Sequence, residues 1–77
     1  SNRVQDRAAR DTFPVELAAN IGDVRGQQLR IAGIETLQDL QNAEVTEVTA
    51  ITDVGDNAAD EAINSASILL TEAASRE

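Results

Sequence analysis

Asp56, Asp60 and Glu61, in the stretch DNAADE, form the densest group of residues able to do chemistry in this chain. Their i, i+4, i+5 spacing brings two carboxylates toward one face of a helix. Such a pair can hold a hard cation or serve as general acid and base, but either use needs the groups desolvated or converging in a cleft. Nothing in the stretch supplies that, so it reads as an exposed acidic helix face. Cysteine and histidine are both absent, which removes thiolate and imidazole nucleophiles and the usual transition-metal ligands. The one aromatic is Phe13 in a chain of 77 residues, and so small a core leaves little room for a large ligand pocket. No catalysis, cofactor, metal site or small-molecule substrate is expected.

Charge is the next constraint. Six basic residues, all arginine, stand against 14 acidic ones, for a net charge of -8. The first eleven residues carry three Arg and two Asp, a net +1, and the rest of the chain carries -9. Arg3, Arg7 and Arg10 share one face at i, i+4, i+7 spacing. They form the only basic patch in the sequence open to a partner, although such a stripe is commonly a solvated helix face. An acid-rich, lysine-free, alanine-rich and aromatic-poor composition is similar to that of proteins from salt-loving archaea. There, salt screens the self-repulsion of a strongly charged surface. An acidic protein of a GC-rich bacterium is the alternative. No apolar run approaches a membrane span and no signal peptide is visible, so a cytoplasmic protein, or part of a complex assembled inside the cell, is expected.

The elements that position these residues read as helices. Residues 3–11 have unbroken helical composition. TFPVELAA opens a second helix, with Thr12 as cap, Pro14 in the first turn and Glu16 at its positive end. Asn20-Ile21-Gly22 stops it. A third helix spans about 23–32, with Val24, Leu29 and Ile31 among its apolar positions, and Gly33 closes it in the left-handed conformation. Ile34 then folds back onto the core, and TLQD at residues 36–39 matches a capping box for a short helix ending near Asn42. EVTEVTAITDVG is rich in β-branched residues that suit a strand. Yet Val45, Val48, Ile51 and Val54 recur every three residues, which favours a helix. The last helix runs over about 56–74, burying Ala59, Ala62, Ile63, Ala66, Leu69 and Leu70.

Two segments, NIGDVRGQQLRIAG from Asn20 and DVGDNAADEAINSA from Asp53, can be laid one on the other without a gap. Each starts with a residue type that tolerates positive φ, followed by a β-branched residue, Gly and Asp. Four residues after each Gly stands a very small residue, Gly26 or Ala59, which lets the preceding helix approach closely. Gly22 makes the turn, Gly26 makes room and Gly33 ends the helix. This pattern, with AGIETLQDLQNA as connector, resembles the helix-hairpin-helix family over about residues 13–70. Both copies depart from the family pattern in having Asn20 and Asp53 where the first hairpin glycine belongs. The resemblance implies an all-α fold of two helix-hairpin-helix motifs in a pseudo-two-fold unit (residues 13–77), preceded by an N-terminal helical extension (residues 1–12).

The resemblance also implies contact with a DNA backbone without sequence specificity, through the amides of Asn20, Ile21 and Gly22 and of Asp53, Val54 and Gly55. Consecutive N–H groups at a helix start do bind anions. Here, however, each glycine is followed by an acid, Asp23 or Asp56, which satisfies those amides and repels phosphate. Arg25 and Arg30 are the only basic residues near a hairpin. Two readings follow. In the first, the chain is a non-catalytic module for protein docking or self-assembly, compatible with DNA-handling or viral machinery. In the second, it is an accessory DNA-binding domain of a repair, recombination or replication protein, using Arg3, Arg7, Arg10, Arg25 and Arg30.

Overall fold

A computed structural model describes residues 13–75; the expected N-terminal helix with Arg3, Arg7 and Arg10, and the Thr12 cap, lie outside them. The described chain is all-α. A single 3-10 turn, Val15–Leu17, precedes four helices: α1 (Gly22–Ile31), α2 (Leu37–Gln41), α3 (Val45–Thr52) and α4 (Asp56–Ser75). The described residues form no strand, only an isolated antiparallel bridge between Pro14 and Thr36.

The helix expected at TFPVELAA is corrected to that one turn. Val15 N–H donates to the Glu35 carbonyl (3.2 Å) and Leu37 N–H to the Phe13 carbonyl (2.9 Å), so the segment enters extended. Pro14 is the cap (φ -68°, ψ 144°), and Ala18 is already extended again at ψ 151°. Tertiary hydrogen bonds at one end and the left-handed Asn20 (φ 67°) at the other leave no length for a longer helix.

The remaining ends follow local rules. Past α1, Gly33 is left-handed (φ 98°). Ile34 N–H reaches the Leu29 carbonyl (2.8 Å) and Gly33 N–H the Arg30 carbonyl (3.0 Å), the paired bonds of a Schellman closure. Thr36 and Asp39 form the reciprocal capping box of α2: Asp39 N–H donates to Thr36 Oγ1 (3.2 Å) and Thr36 N–H to Asp39 Oδ2 (3.3 Å). EVTEVTAIT is helical, and Asp53 stops it in the left-handed conformation (φ 64°, ψ 19°).

The core is aliphatic. Val15, Leu29, Leu37, Leu40 and Val48 are its largest fully buried side chains. They close against Ala59, Ala62 and Ala66 of α4, while Ile63, Leu69 and Leu70 are partly buried at its margin. The alanines let α2 and α3 lie close to α4, and α2–α4 is the most extensive helix contact. Of the three apolar residues named on α1, only Leu29 is buried: Val24 is 75% exposed and Ile31 84%. Gly26 and Leu29 define the inner face. Val24 and Ile31 each stand two residues from one of them, about 200° round the helix.

Candidate functional site

The turns that open the two aligned segments meet at one surface. Asn20 and Asp53 are the only non-glycine residues with positive φ among those described. Each stands two places before the glycine of its segment. The glycines differ: Gly22 is left-handed (φ 66°), whereas Gly55 is not. An open groove of about 480 Å³ runs between the turn before α1 and the end of α3. It is lined by Ile21, Gly22, Asp23, Val24, Arg25 and Gln28 on one side and Thr52 and Asp53 on the other. Val54 and Gly55 do not line it; Val54 is half-buried against the core.

Asn20 ties the first turn to α4. Its side-chain amide donates to the Ala58 carbonyl (3.2 Å) and to Glu61 Oε1 (2.9 Å), while Ala19 N–H donates to Ser65 Oγ (2.8 Å). Glu61 thus supports the turn, and Asp60 accepts a bond from Asn64 Nδ2 (3.3 Å). Among the described residues, no three acidic side chains converge as metal ligands would. Asn20→Gly keeps the left-handed geometry but removes both donors, with an expected loss of about 1 kcal/mol. Asn20→Ala adds the steric penalty of that geometry, about 1–2 kcal/mol more. Urea unfolding of both variants measures the two contributions. Equal stabilities of the two variants would show that the positive φ carries no cost.

The two candidate arginines of α1 part company. Arg30 lies outside the groove and forms a two-pronged ion pair with Glu16: Nε to Oε2 and Nη2 to Oε1, both 2.8 Å. The Arg30 hydrogen bonds hold the Glu16 carboxyl below the usual carboxylate range. Arg25 lines the groove and donates from Nη1 to the Asn20 carbonyl (3.3 Å). Its charge is therefore the one arginine charge at the groove among the described residues, on the same wall as Asp23 and across from Asp53. Asp23 and Asp56 occupy the first turns of α1 and α4, where a carboxylate is stabilised by the helix dipole.

Sequence reasoning did not find the Glu16–Arg30 pair. The partners sit on different elements, joined across a turn, and such a separation has no periodic signature. Nor did it find Thr52 as a groove wall, although that residue directly precedes the second turn. A second, smaller and mainly apolar groove of about 150 Å³ was also missed; it lies among Phe13, Leu17, Leu37, Leu69, Glu72 and Ala73. No helix of the described residues is long and apolar enough to cross a membrane.

No protein-family model matches this chain, and neither does any curated protein or solved structure.

Proposed function

We propose that this chain is a non-catalytic interaction module of helix-hairpin-helix type, built for protein docking or assembly in a salt-rich cell interior. The left-handed Asn20 and Asp53, at equivalent places in the two segments, support the helix-hairpin-helix reading. So do Gly26 and Ala59, small buried residues one turn into α1 and α4. The acidic, lysine-free composition supports the salt-rich setting.

One observation carries docking over DNA binding. The groove between the two turns is walled by Asp23 and Asp53, with Arg25 as its cation. Affinity for duplex DNA comes chiefly from counterion release, and tight binders neutralise roughly 6–10 phosphates. A face offering one arginine, with Arg30 held by Glu16, falls far short of that. The same wall suits a polypeptide, because the exposed Val24 offers apolar contact and the exposed Gln28 offers hydrogen bonds.

Titration of a labelled duplex with the full chain tests this at about 0.1 M and about 2 M NaCl, where the Debye lengths are about 10 Å and under 3 Å. No binding is expected at either salt. Binding at the lower salt that disappears in Arg25→Glu would overturn the docking reading and establish the DNA reading.

A further inference from the structure

We propose that the chain assembles head-to-tail, the exposed ridge of α1 on one copy seating in the apolar groove beside α4 on the next. This rests on the docking reading above and names its partner as a second copy of the chain.

Val24 and Ile31 are the two most exposed large aliphatic residues described, at 75% and 84%. They stand i, i+7 on one face of α1, with Gln28 between them, and so form an uncharged ridge. The groove among Phe13, Leu17, Leu37 and Leu69 holds about 150 Å³, enough for an aliphatic side chain, and Leu17 at its edge is 57% exposed. Ridge and groove share no residue, so the contact joins two different surfaces. A contact of that kind propagates instead of closing on itself as a two-fold dimer.

Charge selects the same pairing. Helix α1 carries Arg25 and Arg30 against Asp23; Arg30 is paired with Glu16, so Arg25 is the cation this helix offers a partner, and every other helix described is net negative. Helix α4 carries Asp56, Asp60, Glu61 and Glu72 with no basic residue. Glu72 stands at the groove, so an approaching α1 brings Arg25 toward an acidic helix. An α4–α4 contact would bring acids together. One ridge in one small groove buries less than the ~1,200 Å² of a stable interface. The association is therefore weak and set by concentration. High salt favours it, because the Debye length falls to about 3 Å at 1 M and the mutual repulsion of -8 chains is screened.

Sedimentation of the full chain from about 10 µM to about 1 mM reads this out, in the range where weak interfaces assemble. The expected result is a mass that rises with concentration, and rises further in about 2 M NaCl. Ile31→Glu and Leu17→Glu, both at exposed positions, should each remain monomeric alone. Mixed in equal amounts, they should form a dimer and nothing longer, since each supplies the surface the other lacks. Self-association of either variant alone would overturn the head-to-tail arrangement. A wild-type chain that stays monomeric at both salts would overturn the proposal, while docking to a different protein would stand or fall on the duplex titration.

Discussion

Leu40→Ala is expected to remove about 3–4 kcal/mol of stability, a large share of what holds so short a chain folded. Leu40 is fully buried in α2, and deleting a buried leucine costs about 2.7–5 kcal/mol, the upper end applying where surroundings cannot close in. They cannot here. The facing side of α4 is Ala59, Ala62 and Ala66, side chains with no rotamers through which to fill a void. At the start of α2, the Thr36–Asp39 capping box and the Leu37 N–H bond to Phe13 hold the backbone in place. At about 0.05–0.15 kcal/mol per residue, a chain of this length has about 4–12 kcal/mol in all. Urea unfolding followed by circular dichroism measures the loss. Ile31→Ala serves as the control, because its 84% exposed side chain predicts a change within about 0.5 kcal/mol. A Leu40→Ala loss as small as the control's would mean that the α2–α4 contact is not the centre of the fold.

The features legible in the sequence were those set by neighbours in the chain. The Schellman closure at Gly33, the capping box at Thr36 and Asp39, and the helix over Val45–Thr52 each depend on residues within about one turn. The valine and isoleucine spacing at 45, 48 and 51 outweighed the β preference of the residues because half-buried side chains must share a face. The 3-10 turn was not legible, since it is set by Val15 and Leu37 bonding across the Pro14–Thr36 bridge. Composition alone allowed a full helix there.

The candidate site divides along the same line. Asn and Asp were recognisable as residues that tolerate positive φ, a property of one residue and its two dihedrals. The distance between the two turns, and hence the groove, is a product of how α1 and α3 pack. The commitment of Arg30 to Glu16 is tertiary as well. The outward direction of Val24 and Ile31 was readable in principle: once Gly26 is taken as the close-approach residue, the helical period sends both away from it.

Gly26→Val is expected to destabilise the chain by about 2–3 kcal/mol, and Gly26→Ala by no more than about 1 kcal/mol. Gly26 is buried on the face of α1 covered by the 3-10 turn. A Cβ there would lie 2.6 Å from Glu16 Oε2 and 2.7 Å from Glu16 Cδ, and would also run into Glu16 Cγ. Alanine gains up to about 1 kcal/mol in helix propensity over glycine, but its Cβ forces the Glu16 carboxylate off Arg30, so the two effects largely offset. Valine adds two methyl groups that shifting one carboxylate cannot accommodate. The turn carrying Val15 must then move off α1, and overpacking of that kind costs about 1–3 kcal/mol, which valine's helix propensity, roughly a few tenths of a kcal/mol better than glycine's, does little to offset. Removing the obstacle separates these causes. In a Glu16→Ala background the atoms in the way are gone, so Gly26→Ala should become stabilising, whereas Gly26→Val should keep most of its cost. Urea unfolding of the four-member cycle for Glu16→Ala and Gly26→Ala reports this as a coupling between the two positions. Strict additivity would mean that the approach of Glu16 is not why position 26 is glycine, and the case for Gly26 and Ala59 as equivalent close-approach residues would fall with it.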